Sequence, residues 1–424
     1  MSARGPRLTE IVFGAAFFVL LLLPLGGRHL FGQAFDWFGL ADTATSENRN
    51  LAAAPSIPHT LAEFKDIPAK LRSYIADRFE MRSAMIRLTN RLRFTLFDEM
   101  PTRQTILGPT GRLFYTSHFA DKPFSLIRVV CGIGVSEADV KDGAGSIEHA
   151  VESLEKRHVH AIVVLIPTPP IIHREDLPRW LAKRCERPST VDRVMRQLQE
   201  LGEANRVFYP LAAMRAAAQS DLGAFPKLGF HWNGNGPRFT AEYLAGQVLG
   251  RTKILSMSPE AHEVPSDMSP FTEGIPLQIT DVSPNTSARQ TYLCHGIGCF
   301  PELGHASAIV FFHATRVGSL ASGKRLLLVS DSFGYAIAPW FAEYYGSIWN
   351  ICTNDLGRLS NEDQSTFLNR VLTTYAPDDV VFLRHDGAVL DVGAELSAML
   401  DGGQQESSPV SAAGYPADVA DPYR

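Results

Sequence analysis

The sequence predicts an α/β protein: a mostly parallel sheet covered by helices, preceded by an N-terminal membrane anchor helix. Three observations predict it. Short continuous apolar runs read as strands buried on both faces: His160 to Pro167 (HAIVVLIP), Lys324 to Ser330 (KRLLLVS) and Asp379 to Leu383 (DVVFL). Segments of helical character lie between them, and such alternation gives parallel strands joined by helical crossovers. An uncharged apolar run, Ile11 to Leu25 (IVFGAAFFVLLLLPL), precedes all of this.

That first run is at the short edge of what spans a bilayer. Arg4 and Arg7 stand before it, which favours a cytoplasmic N-terminus, while Arg28 after it weakens the asymmetry. No A-x-A-like cleavage site follows, so residues 1–27 read as an uncleaved signal-anchor, with a cleaved signal peptide as the alternative. Either places the body outside the cytoplasm: periplasmic, held on the inner membrane by the anchor or soluble after cleavage.

Residues 28–60 read as a juxtamembrane linker, 61–400 as the main body, and 401–424 as a disordered tail of polar and small residues. Leu61 to Phe97 is predicted helical, because Phe64, Ile67, Leu71, Ile75 and Phe79 recur at three- and four-residue steps. Ile106 to Tyr115 places turn-forming glycines before a short apolar run. Thr190 to Leu201 reads as helix, Arg206 to Leu211 as strand and Pro237 to Leu249 as helix; another helix is expected after the Lys324 to Ser330 strand, through Tyr345. The Pro-, Ser- and Thr-rich stretch from about 255 to 300 reads as insertion or loop.

The 424 residues are 45% hydrophobic with net charge −5, enough apolar material for a full core and no basic excess for a nucleic-acid partner. A polysaccharide partner is compatible with that balance. Cys294 and Cys299, in CHGIGC, can close a disulfide in an oxidising space, or with His295 belong to a metal site; the odd total of five cysteines leaves one thiol unpaired in a monomer.

Two segments carry candidate chemistry. In LLLVSDSFG a buried strand ends at Ser330 and turns through Asp331-Ser332-Phe333-Gly334 into a helix. Ser332 then stands at the C-terminal edge of the sheet, where open α/β folds keep their sites. The helix N-terminus would offer N–H groups to a developing oxyanion. A serine hydroxyl needs a base; Ser332 reads equally as a helix cap. The second segment is Phe230-His231-Trp232-Asn233, ahead of Gly234, Asn235 and Gly236. A histidine in such a glycine-flanked turn can be presented to a site or be purely structural. His158 and His160 read as structural.

Across roughly residues 45 to 390 these pieces resemble, in order, the alginate O-acetyltransferase (AlgJ/AlgX-like) family and its DHHW relatives. ENRNLAAAP (Glu47 to Pro55) resembles the family's E-x-R-x-L…P opening. YIADRFEMRSAMIRLTNRLRFTLF (Tyr74 to Phe97) resembles its D-x-F-x-x-R…N helix, and GRLFY (Gly111 to Tyr115) its G-W-L-F element. VVLIPTPPIIHREDLP (Val163 to Pro178) resembles a strand followed by P-x-K-x-x-x-Y-P…P, without the Lys and Tyr. HWNGNG (His231 to Gly236) matches the end of D-x-H-W-[TN]-x-x-G, and VSDSFG matches the serine motif.

The resemblance implies an SGNH-hydrolase-like three-layer α/β/α fold. It implies an acyl-serine mechanism: Ser332 takes an acetyl group and passes it to a polysaccharide hydroxyl, with His231 as base and then acid. It implies no cofactor, no metal, and an acetyl donor supplied by a membrane-bound O-acyltransferase. The family's Asp, two residues before the His, falls on Gly229, which has no side chain. Asp386, after the strand DVVFL, is the expected substitute, with Asp331 less favoured because its neighbour Ser332 must point into the site; a backbone carbonyl would also orient the ring. Three functions follow: an exopolysaccharide O-acetyltransferase, an acetylesterase using the same residues, or a catalytically weak binding subunit of an export assembly, the last motivated by Gly229.

Overall fold

A computed structural model describes residues 52–58, 60–77, 82–185, 188–295, 313–317, 323–354 and 359–401, together with Phe17. The Ile11–Leu25 run lies outside the described residues apart from Phe17, as do the residues beyond 401. Among the described residues no helix is long and apolar enough to cross a membrane. Residues 61–400, expected as one body, divide into two compact units, because the segment Ser269–Pro276 packs with the first helices instead of with the sheet.

The smaller unit holds α1 (Leu61–Asp77) and α2 (Arg82–Phe97), both within the segment predicted helical, and Ser269–Pro276. On α2, Arg87 is buried beside Glu273 (3.6 Å), Asn90 donates to the Glu273 carbonyl (3.0 Å), and Arg91 donates to the Gly274 carbonyl (3.0 Å).

The larger unit begins with the hairpin β1 (Thr105–Leu107) and β2 (Leu113–Tyr115). The chain then runs through α3 (Glu137–Lys156), β3 (Ala161–Ile166), α4 (Thr190–Leu201), β4 (Val207–Phe208), α5 (Leu211–Ala218), α6 (Asn235–Glu242), β5 (Pro259–Pro265), β6 (Gln278–Pro284), β7 (Thr291–His295), β8 (His313–Val317), β9 (Arg325–Ser330), β10 (Ser347–Cys352), α7 (Asn361–Tyr375), β11 (Asp379–His385) and α8 (Val392–Asp401). Seven strands form one sheet in the order β4-β3-β11-β9-β10-β8-β7. The first five are mutually parallel, and β8 and β7 run antiparallel at one edge.

The three apolar runs form the centre of the sheet. Every residue of β3 is buried, and Leu326 to Val329 and Val380 to Leu383 are fully buried on both faces, as continuous apolar runs require. One face packs Val163, Leu165, Leu327, Val329 and Phe382 against α3, α4, α7 and α8. Burying each such side chain contributes roughly 1.5–3 kcal/mol. The helices begin where capping chemistry dictates: Ser136 with Asp139 and Ser189 with Asp192 form reciprocal capping boxes at α3 and α4.

Several local expectations change. Arg206–Leu211 shortens to the two residues of β4, because Pro210 lacks the N–H to continue a ladder and Leu211 opens α5. The predicted Pro237–Leu249 helix starts at Asn235 and widens into a π-helical turn at Tyr243–Val248. The helix expected through Tyr345 is one turn, Gly334–Ile337, followed after Pro339 by a 3₁₀ turn, Trp340–Glu343. The stretch read as loop contains β5, β6 and β7. In the β5–β6 hairpin β5 is exposed and β6 is half-buried, and polar residues interrupt both strands, so the hairpin gives no continuous apolar signal.

One buried carboxylate gathers a cluster of partners. Asp379, fully buried, accepts from Arg251 Nε (2.6 Å) and Tyr345 Oη (2.8 Å) and pairs with His160 Nδ1 (2.6 Å), consistent with a structural His160. His158 takes a positive φ of 56° in the turn before β3. Cys131 and Cys185 form a disulfide across a sequence separation of 54, and Cys352 is free and buried. Cys299, and with it the Cys294–Cys299 pairing, lies outside the described residues.

Candidate active site

Strand β9 delivers its last residue, Ser330, to the C-terminal edge of the sheet, and the chain then turns sharply. The Asp331 carboxylate holds this turn, accepting from the N–H of Phe333 (2.9 Å) and from the N–H of His385 on the adjacent strand β11 (2.7 Å). Gly334 is required: a Cβ there would lie 1.8 Å from Ser330 Oγ and 2.6 Å from Asn350 Oδ1. The Trp232 indole donates to the Phe333 carbonyl (2.8 Å), tying the serine turn to the histidine segment. Ser332 is thereby presented outward, half-buried.

His231 stands opposite. Its Nε2 is 2.8 Å from Ser332 Oγ, so the two sequence-predicted residues meet at the sheet edge. Its Nδ1 is 2.6 Å from Asp267 Oδ2. A ring nitrogen facing a carboxylate carries the proton, which leaves Nε2 as the acceptor for the serine hydroxyl. Asp267 is fixed in turn: it accepts from the N–H groups of His231 (2.8 Å) and Phe230 (3.1 Å). Ser266 Oγ holds the same loop by donating to the Leu228 carbonyl and accepting from the Met268 N–H (3.0 Å). Burial alone would raise the Asp267 carboxyl. The hydrogen bond and charge of His231, with the two backbone N–H groups, outweigh it and hold the carboxyl below its ordinary value.

The expected orienting acids are elsewhere. Asp331 braces the backbone as described, and burial raises its pKa. Asp386 is buried under the sheet edge, accepting from Thr168 Oγ1 (2.6 Å), the Thr168 N–H (3.2 Å) and Tyr209 Oη (3.1 Å). Neither is the partner of His231 Nδ1. At Gly229 a Cβ would lie 2.6 Å from Pro226 Cγ and 3.1 Å from Asp267 Oδ1. Asp267 therefore occupies the ground that a side chain at 229 would need. The acid comes from 36 residues after His231, inside the stretch read as insertion. No local pattern in VPSDMS marks it, since its role depends on where β5 ends relative to the histidine turn.

Aromatic rings wall the site. Phe230 and Phe333 lie 5.2 and 5.4 Å from the His231 ring. Two further histidines lie against these residues, half-buried His118 and buried His385, with ring centroids 5.8 Å apart. Burial drives both down to about 3, aided by the charges around them, so both imidazoles are neutral. Away from the triad, His173, Glu175 and Asp176 bring ligand atoms within 4.8 Å of one another, but Asp176 is committed to Arg112 at 2.8 Å, a cation that opposes a metal ion there.

No protein-family model and no curated protein matches the chain. Among solved structures the chain is similar to a DHHW family protein from Eubacterium siraeum DSM 15702 (16% identity, TM-score 0.44, covering 61% of this chain and 89% of that one), to the O-acetyltransferase domain of Pseudomonas putida AlgJ (15%, 0.44, 70% and 99%) and to Bacillus cereus PatB1 (11%, 0.42, 60% and 91%).

Proposed function

We propose that this chain is an extracytoplasmic O-acetyltransferase of SGNH type that acetylates an alginate-like exopolysaccharide through an acetyl-serine. The observation that carries the reading is the unbroken hydrogen-bond chain Ser332–His231–Asp267. A serine, an imidazole and a buried carboxylate in this geometry form the constellation that activates a hydroxyl for acyl transfer.

In the first half-reaction, His231 Nε2 takes the proton of Ser332 Oγ as that oxygen attacks the acetyl carbonyl of the donor. Asp267 stabilises the imidazolium and fixes its tautomer. The intermediate collapses to acetyl-Ser332 as His231 returns the proton to the leaving group. In the second, His231 deprotonates a sugar hydroxyl that attacks the acetyl-serine, and Ser332 recovers its proton. The acetyl donor in this reading is supplied by a membrane-bound O-acyltransferase beside the N-terminal anchor, and no cofactor enters. A periplasmic location is supported by the Cys131–Cys185 disulfide, which belongs to an oxidising compartment. The ground for a catalytically weak binding subunit is the missing carboxylate at Gly229, and Asp267 removes it.

The test offers the purified protein p-nitrophenyl acetate with and without bare polysaccharide. Ser332-dependent acetyl transfer to the polymer is expected. Release of acetate with no transfer, and deacetylation of acetylated polymer, would establish the esterase instead. No Ser332-dependent turnover of any kind would sink both.

A further inference from the structure

Acyl transfer from serine develops a negative oxygen, which needs donors aimed at it. One is at hand: the N–H of Ser332 itself has no partner among the described residues. Its neighbours on the sheet edge supply few others. On the β10 side, the Thr353 N–H is taken by the Ser330 carbonyl (2.8 Å). Beyond β3, the N–H of Thr168 is taken by Asp386 (3.2 Å), Pro169 and Pro170 have none, and that of Ile171 turns back to Thr168 (3.0 Å). Arg384 spends its guanidinium on Glu395, Thr353 and backbone carbonyls.

Strand β11 is different. It pairs with β9 so that Leu383 lies beside Ser330, which brings His385, the last residue of β11, against the turn that carries Ser332. The backbones are stitched there by Asp331 N–H to the Leu383 carbonyl (3.1 Å) and His385 N–H to the Asp331 carboxylate (2.7 Å). The His385 ring packs on Phe333 (5.6 Å) and Phe230 (5.9 Å), the two rings that also touch His231. Its Nδ1 accepts the Gly387 N–H (3.1 Å). In a neutral imidazole the proton must then sit on Nε2, and among the described residues Nε2 has no partner.

We infer that His385 is a further catalytic residue, whose Nε2–H donates to the acetyl carbonyl oxygen as it becomes an oxyanion on Ser332, alongside the Ser332 N–H. The inference rests on the acyl-serine reading. A neutral donor suits this role, because it stabilises developing charge without delivering a proton and ending the intermediate early. Its neutrality is built in, since it is buried beside neutral His118 and shares its surroundings with His231 and Arg384.

The experiment compares His385→Leu and His385→Gln with the wild type, using p-nitrophenyl acetate. Leucine removes the donor, and glutamine keeps an N–H. For leucine, kcat is expected to fall about 10²- to 10³-fold, the range for loss of one oxyanion donor, with KM within about twofold; glutamine is expected to recover part of it. Leucine at wild-type kcat, or leucine and glutamine equally impaired in folded protein, overturns the inference. Should the variants not fold, the wild type decides by ¹⁵N NMR. Reaction of Ser332 with a fluorophosphonate is expected to move the His385 Nε2–H resonance, and an unmoved resonance overturns the assignment. Turnover that survives Ser332→Ala, with no fluorophosphonate labelling, is a distinct outcome: it removes the acyl-serine reading itself, and this inference with it.

Discussion

Asp267 Oδ2 lies 2.6 Å from His231 Nδ1 and also accepts the His231 backbone N–H at 2.8 Å. One carboxylate therefore fixes both the ring and the peptide that carries it. Asp267→Asn is expected to leave the fold intact and to reduce kcat severely. In serine proteases the same change costs about 10⁴-fold, because the amide favours the wrong tautomer. Steady-state kinetics with p-nitrophenyl acetate checks this. A loss below about tenfold would mean that Asp267 does not act on His231 in turnover.

Gly229→Asp is expected to lower activity, although it places a carboxylate two residues before the histidine. Its Cβ would press on Pro226 Cγ (2.6 Å) and Asp267 Oδ1 (3.1 Å). A second carboxylate would also repel the first. Thermal unfolding and kcat should both decline. A gain in activity would contradict the crowding described.

Asp331→Asn tests a bracing role distinct from a triad role. The carboxylate accepts the N–H groups of Phe333 and His385 with separate oxygens. An amide can accept with only one of them, which leaves a buried N–H unpaired at about 1–3 kcal/mol. Chemical denaturation should show that loss. The kcat should fall far less than for Asp267→Asn, since Asp331 does not touch His231 Nδ1.

The contribution of the buried histidines to stability should fall as pH drops from about 6.5 toward about 3. Burial, chiefly, depresses His118 and His385 to about 3. The unfolded chain therefore binds protons that the folded chain refuses, and stability rises with pH across that window. Asp386 acts in the opposite direction. Burial raises it to about 6, so between about 4 and 6 the folded state holds a proton that the unfolded chain releases. Three histidines, since burial also lowers His173 to about 4, oppose the raised carboxyls, Asp331 among them, and the histidine part of the slope is expected to be positive. Urea titrations at several pH values measure it, and His118→Gln should flatten the curve.

Reduction of Cys131–Cys185 should destabilise the larger unit. The bond closes a separation of 54 residues, for which loop-closure entropy corresponds to about 4 kcal/mol. Denaturant midpoints with and without reductant give the difference. Equal midpoints would show that the bridge adds nothing.

The sequence by itself determined the centre of the sheet and two of the three triad residues. AIVVLI, RLLLVS and DVVFL are continuous apolar runs, which only a doubly covered strand can bury. Ser332 follows one of them at a turn that needs Gly334, and His231 lies in a glycine-flanked turn before α6. These signals are local, so they survive without knowledge of neighbours. Tertiary structure alone decided the acid. Asp267 reaches His231 because the chain between β5 and β6 passes the histidine turn, held there by Ser266 to the Leu228 carbonyl and to Leu277. The β5–β6 hairpin, with its exposed first strand, carries no continuous apolar run by which that placement is legible. The same holds for Asp331 and Asp386, whose chain positions suited an orienting role but whose carboxylates are consumed by neighbouring N–H and O–H groups. A hydrogen bond between residues distant in the chain is a property of packing, and single-residue identity does not encode its direction.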